Sequence, residues 1–149
     1  MKPTIKPINI SFNLFTLQDI DAVLAIEQLA YQSPWHRVQF AQSLDNPNTL
    51  AHLICVDSQL VGYSIALRTP DFTDLLNICI HPQYQHQGLG MQLFQHFLST
   101  TDTQAIFIEV RLSNDNALSF YQKLGFETIN LRKKYYADGE DAKIMRFLN

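Results

Sequence analysis

Apolar and polar residues change period several times along this chain of 149 residues. INISF, from Ile8 to Phe12, alternates apolar and polar positions, the two-residue period of a half-buried strand. Thr16 stands three residues before Asp19, the spacing of a capping box. Ile20, Val23, Leu24, Ile26 and Ala30 then spread over one broad helical face, so a helix is predicted from Gln18 to Tyr31. Ser33-Pro34-Trp35 interrupts it, and HRVQFAQSL starts a shorter helix that Asn46-Pro47 ends.

Three β-branched, apolar runs follow, TLAHLICV, LVGYSIAL and DLLNICI, separated by DSQ and RTPDFT; they predict antiparallel strands joined by hairpins. After HPQYQHQGLG, residues Leu89, Leu93 and Phe97, flanked by Phe94 and Leu98, form the apolar stripe of a helix. AIFIEVR reads as a buried strand, and SNDNALSFYQKLGF opens on capping residues, turns helical and stops at Gly125. ETINLRKKYYADGEDAKIMRFL gives two strand-like runs whose connection is longer than a tight two-residue hairpin. The predicted order is β-α-α-β-β-β-α-β-α-β-β, an α/β (α+β) chain without repeat or linker, of a length that fits one domain.

Composition narrows the function classes. The chain is 46% hydrophobic and 17% charged, with a net charge of −3 and no long run of either sign. That describes a soluble globular protein and argues against direct nucleic-acid binding. Cys55 and Cys79 sit inside apolar runs and form no C-x-x-C pair, so they read as buried thiols in a reducing compartment. MKPTIKPINISF has no apolar stretch of leader length, and no segment is long enough to span a bilayer, so a cytoplasmic location is expected. His81, His86 and His96 lack the helical spacing and neighbouring ligands of a metal site, and no metal is expected.

HPQYQHQGLG places Gly88 and Gly90 between a strand and a helix, where the first helical amides lack intrahelical partners and can hold an anion. The glycines either let the backbone approach a phosphate or relieve strain at the helix start. A Walker A loop would need Lys-Ser/Thr after them and a dinucleotide fingerprint a third glycine; Met91 and Leu93 exclude both.

Gln85-x-x-Gly88-x-Gly90, followed by a strand, Ser113-Asn114 and SFYQKLGF, resembles the GNAT superfamily of acetyl-CoA-dependent N-acetyltransferases, and the resemblance covers nearly the whole chain. Ser33 to Trp35, LNICIHPQYQHQGLG, EVRLSN, FYQKLGF, RKKYY and GEDAKIM are similar to the RimI-type group, which acetylates the N-terminal alanine of a small-subunit ribosomal protein. The resemblance implies a mixed, mostly antiparallel sheet of about seven strands flanked by about four helices. It implies that His86, Gln87, Gly88, Leu89, Gly90 and Met91 hold the CoA pyrophosphate through backbone amides. Ile78, Cys79 and Ile80 would pair with the pantetheine arm as if it were an added strand. His86 and His81 depart from the family pattern, which often has arginine and aspartate there, and His86 would make binding sensitive to pH.

Acetyl transfer to an amine needs a neutral nitrogen, a donor to the tetrahedral oxyanion and a proton for the departing thiolate. By resemblance, Glu109 is the general base, Tyr121 the general acid, and Asn114 a hydrogen-bond partner of the cofactor arm. The residues alone also allow an ion pair of Glu109 with Arg111 on the same strand face, a core role for Tyr121 and a helix N-cap for Asn114. Phe120 and Phe126, with no hydroxyl to satisfy, are expected in the core ahead of Tyr121. The oxyanion donor is expected on the NICI backbone, among Ile78, Cys79 and Ile80. Trp35, Tyr135 and Tyr136 would line the acceptor groove, and Arg132 to Lys134 are either beside it or a solvated strand edge.

Direct transfer in a ternary complex is expected in preference to an acetyl-enzyme on Cys79. Two other readings keep the scaffold: an acetyltransferase for a small amine, a polyamine or a different protein N-terminus, and a CoA-binding module without catalysis.

Overall fold

The computed structural model describes residues 8–149; the start of the chain, and with it the expectation that no leader is present, lies outside them. β1 (Ile10–Leu14) leads through a 3-10 turn at Leu17–Asp19 into α1 (Ile20–Ala30) and then α2 (Arg37–Asp45). β2 (Thr49–Val56), β3 (Gln59–Arg68) and β4 (Phe72–Ile80) follow, then α3 (Leu89–Thr100), β5 (Ala105–Arg111), α4 (Asp115–Leu124), β6 (Glu127–Arg132) and β7 (Ala142–Leu148). The order expected from periodicity is the order observed.

Two of the boundaries that differ from expectation have a local cause. β1 starts at Ile10, not Ile8, because Asn9 is taken up by the turn after β2: its N–H donates to Asp57 Oδ1 at 3.2 Å and its carbonyl accepts from Asp57 N–H at 2.8 Å. The Thr16–Asp19 capping box forms, with Thr16 N–H donating to Asp19 Oδ2 at 2.8 Å, but it opens a 3-10 turn, and the α-helix begins only at Ile20.

The seven strands form one sheet in the order β1-β2-β3-β4-β5-β7-β6, antiparallel throughout except for the parallel pair β4–β5. Both faces are covered. Val23, Ile26 and Phe40 of α1 and α2 pack on Leu53, Tyr63, Ile65 and Cys79. On the other face, Leu93, Phe94 and Phe97 of α3 and Leu118 and Leu124 of α4 pack on Ile54, Ile78, Ile106, Ile108 and Met145. Burial on both sides is why the central strands read as near-continuous apolar runs instead of alternating ones.

Under α3 lies a buried polar pair without hydrogen-bond partners among the described residues. His52 is buried, its ring edge-on to His96 at 5.0 Å, and neither His52 Nδ1 nor the buried Ser64 hydroxyl beside it has a partner within the described protein. Burial first, and His96 second, push the His52 imidazole down from 6.5 to about 4. The unfolded chain therefore binds a proton that the folded one refuses. Stability is full above pH 6.5 and falls as pH drops toward 4, by up to about 3 kcal/mol from this residue. Urea unfolding at pH 7 and pH 5 checks this: the midpoint of the wild type is expected to fall, and His52→Leu is expected to remove that part of the slope.

Candidate active site

The parallel pair β4–β5 positions the site. It is in register only over Phe72↔Ala105, Thr73↔Ile106 and Asp74↔Phe107, and beyond Asp74 the two strands diverge. A β-bulge on β4 follows at once: Ile65 of β3 faces Asn77 while Ala66 faces Leu75, so Leu76 is the extra residue. The bulge re-aims the rest of β4 away from β5 and leaves an open strand edge in the middle of a sheet.

Successive residues of a strand turn their backbone groups to opposite edges. The carbonyls of Ile78 and Ile80 face the opening, where the first accepts from the Tyr31 hydroxyl at 3.1 Å and the second from Gln85 Nε2 at 3.0 Å. Cys79 lies between them in register with Tyr63, and its carbonyl sits against Gly62 of β3. This corrects the expectation for the NICI segment: Ile78 and Ile80 offer their backbone to a ligand, whereas Cys79 spends its own on the sheet.

Two cavities lie in the opening. The first, about 540 Å³, is lined by Ile78, Cys79, Ile80, His86, Gly88, Gly90, Met91 and Asn114 of the expected set, with Tyr31, Gln85, Phe120 and Tyr121. The second, about 470 Å³, is lined by Glu27, Trp35, Asp74, Asn77, Glu109, Arg111 and Tyr136. Tyr31, Asn114, Ala117 and Tyr121 border both, so the two spaces meet at Tyr121. Each has the size of a small-molecule site.

The glycine tract divides its labour. Gly88, with φ +79°, is the residue before α3 and has open space where a side chain would stand. The first bond of this helix runs from Gln92 N–H to the Gly88 carbonyl, which leaves the amides of Leu89, Gly90 and Met91 without helical partners. Gly90 has a different reason to be glycine: a Cβ there would stand 2.6 Å from the Phe120 ring of α4. Of the expected loop, Gln87 and Leu89 do not line the cavity; Leu89 turns into the core, one helical turn before Leu93. His86 is exposed and holds φ +63°, and His81 caps the 3-10 turn by accepting from Gln83 N–H at 3.1 Å.

Tyr121 is 5% exposed and more buried than Phe120, against expectation. Leu118, Tyr121 and Leu124 recur every three residues along the inward face of α4, while Phe120 is rotated off it toward Gly90; Phe126 is buried as expected. Burial, with Cys79 and Glu27 adding to it, pushes the Tyr121 phenol well above its ordinary range, so it stays protonated. Cys79, pushed up by burial to about 12, is a neutral thiol near pH 7 and a poor nucleophile. Asn114 is the N-cap of α4, its Oδ1 accepting from Ala117 N–H at 3.1 Å, yet it borders both cavities, so the capping and ligand-facing readings are compatible.

Glu109 is exposed to the second cavity, and Arg111 is not its partner. Arg111 is drawn to the β6–β7 loop instead, 2.8 Å from Asp138 and 3.6 Å from Glu140, with its guanidinium over the Tyr136 ring at 4.0 Å. That loop is further pinned by Glu140, which accepts from Ser113 N–H at 3.1 Å. Of the three aromatic residues expected in an acceptor groove, Trp35 and Tyr136 line the second cavity; Tyr135 does not, being exposed, its phenol raised first by a hydrogen bond to Glu109. Arg132 to Lys134 are exposed. Among the described residues no group of His, Cys, Asp and Glu is placed to hold a metal, and no helix is long and apolar enough to cross a membrane.

Tyr31, Asp74, Asn77 and Glu27 line these cavities although the sequence reading singled out none of them. Glu27 is 1% exposed, on the inward face of α1, and borders the second cavity. Its only signal in the sequence is a carboxylate falling one position from Ile26 and four from Val23, on an otherwise apolar helical face.

A mixed sheet split between its parallel strands, with an open strand edge facing a glycine-led helix, is the arrangement that the resemblance to the GNAT acetyltransferases implied. Residues 22–147 match the acetyltransferase (GNAT) domain family, and the chain belongs to it. Acetyl-CoA is the co-substrate of that family. The chain is similar to a Bacillus subtilis (strain 168) protein provisionally named a ribosomal protein bS18-alanine N-acetyltransferase, 38% identical over 87% of this chain and 89% of that one. It is similar also to the ribosomal protein bS18-alanine N-acetyltransferase of Escherichia coli (strain K12), 34% identical over 85% and 89%. The crystal structure of the Escherichia coli ribosomal-protein-S18-alanine N-acetyltransferase superposes with a TM-score of 0.83 at 31% identity, covering 94% of each chain.

Proposed function

We propose that this chain is a single catalytic domain that transfers the acetyl group of acetyl-CoA directly to the N-terminal α-amine of a protein in the cytoplasm, the acceptor being the N-terminal alanine of a small-subunit ribosomal protein. The observation that carries the chemistry is the meeting of two cavities at Tyr121. The names of the relatives support the acceptor.

The cofactor's pyrophosphate lies against the free amides at the start of α3, and its arm runs along the open edge of β4 at Ile78 and Ile80. The acceptor nitrogen enters from the Glu109 side. Nitrogen attacks the thioester carbonyl, an amide N–H of Ile78 or Ile80 receives the oxyanion, and Glu109 takes the ammonium proton, directly or through water. The carbon–sulfur bond then breaks. An ordinary phenol is a weaker acid than a thiol by about 1.5 pKa units, about 2 kcal/mol, and burial widens that gap for Tyr121. Tyr121 therefore acts first by donating a hydrogen bond to the departing sulfur, with full proton transfer the uphill part of the step.

The acceptor class follows from protonation. An α-amine, with a pKa of roughly 8, is about a tenth neutral at pH 7, whereas lysine, at roughly 10.4, costs about 3 kcal/mol more to deprotonate. Thiol release from acetyl-CoA is expected with a peptide beginning Ala-Arg, well above that with a Met-leading peptide or spermidine. Activity on spermidine without activity on the peptide would sink this acceptor assignment, and no thiol release with any acceptor would leave a CoA-binding module.

A further inference from the structure

The buried carboxylate of Glu27 has three donors, each from a different part of the chain. Oε1 accepts from Trp35 N–H at 3.0 Å; Oε2 accepts from Asn77 Nδ2 at 2.9 Å and from the Tyr63 hydroxyl. Tyr63 stands on β3, Asn77 on β4 just past the bulge, and Trp35 in the connection between α1 and α2 whose Ser33, Pro34 and Trp35 wall the acceptor-side cavity. Among the described residues, the bond to Glu27 is the only hydrogen bond made by a backbone amide of residues 32–35. Burying a carboxylate costs several kcal/mol unless its lone pairs are met, and an apolar side chain would fill this position at less cost. What the carboxylate adds is a tie between the acceptor wall and the divergence of the sheet.

Resting on the acceptor reading above, we infer that Glu27 is a positioning residue for the acceptor: by holding the Trp35 amide against Asn77 and Tyr63, it sets the distance between the Ser33–Trp35 wall and β4. The wall is where an extended N-terminus must lie for its nitrogen to reach the junction at Tyr121. The donor-side cavity depends on this tie far less: it is built mainly from β4, α3 and α4, meets α1 only at its end, Ala30 and Tyr31, and does not include Trp35 or Glu27. Trp35, whose ring packs on Phe40 with centroids 5.0 Å apart, is the only tryptophan of the chain and reports the wall directly.

Two variants test it. Glu27→Gln keeps the shape but has one acceptor oxygen, so it cannot serve Trp35 and Asn77 together. Adding Asn77→Asp exchanges the two ends. The amide oxygen introduced on α1 then accepts from Trp35 N–H, while the amide nitrogen donates to the carboxylate introduced on β4, which also accepts from the Tyr63 hydroxyl. Loss of a hydrogen bond to a charged group is expected to raise the KM for an Ala-Arg peptide about tenfold or more in Glu27→Gln, with kcat within about threefold and acetyl-CoA Kd within about twofold of wild type. Acrylamide quenching of Trp35 is expected to increase, and the exchanged pair to return both readouts to near wild type. Unchanged KM and quenching, an equal loss of acetyl-CoA affinity, or a loss the exchange does not repair would overturn the inference. If Glu27→Gln does not fold, the exchanged pair decides alone: wild-type KM and quenching support the role, anything else ends it. If the wild type itself ignores the peptide, the proposed acceptor fails while quenching in the two variants still judges Glu27.

Discussion

Glu109→Gln is expected to lower kcat for peptide acetylation by about 10² to 10⁴-fold, with acetyl-CoA affinity close to that of the wild type. The carboxylate borders the acceptor-side cavity and not the donor-side one, so cofactor binding has no cause to change. Nor should stability fall, because Arg111, the cation on the same strand face, is already paired with Asp138 and Glu140 and is not orphaned by the substitution. The pH profile gives a second readout. Both enzymes need a neutral acceptor and should gain kcat/KM until the α-amine is deprotonated, at roughly 8, but only the wild type should also lose activity at low pH as the Glu109 carboxylate is protonated. Wild-type turnover in this variant would refute the role.

Tyr121→Phe is expected to lower kcat by a similar factor, about 10² to 10⁴, and to leave the melting temperature nearly unchanged. The hydroxyl makes no hydrogen bond within the described residues and stands where the two cavities meet, so its removal leaves no buried partner unsatisfied. The ring still fills its place against Phe120 and Phe126, at centroid distances of 5.5 and 5.7 Å. A structural role would show the reverse, with lost stability and retained turnover. Steady-state kinetics beside a thermal melt separates the two.

Much of the site was legible in the sequence because its parts are local. The glycine-led start of α3, the Asn114 cap and the carboxylate on an apolar strand each depend on a few neighbouring residues. Where reading failed, a distant partner was responsible. The alternative of a Glu109–Arg111 pair could be set aside only when Arg111 was seen paired to a loop whose Asp138 is 27 positions away, and Gly90 proved to be a packing glycine only once α4 was seen to bring Phe120 against it. Cys79 looked equivalent to Ile78 and Ile80 until pairing with β3 fixed which way each backbone faces.

By itself the sequence determined the eleven-element order, the caps and stops of the helices, and which strands are buried on both faces, because periodicity, turn residues and apolar runs act over a few positions. Tertiary structure decided the rest. The divergence of β4 from β5 after Asp74 opens the space that the two cavities occupy, and the Glu27 carboxylate draws on donors 36 and 50 positions away, at Tyr63 and Asn77. No local pattern encodes such a junction: it exists only when strands far apart in the chain are laid side by side and a buried charge must find its partners among them.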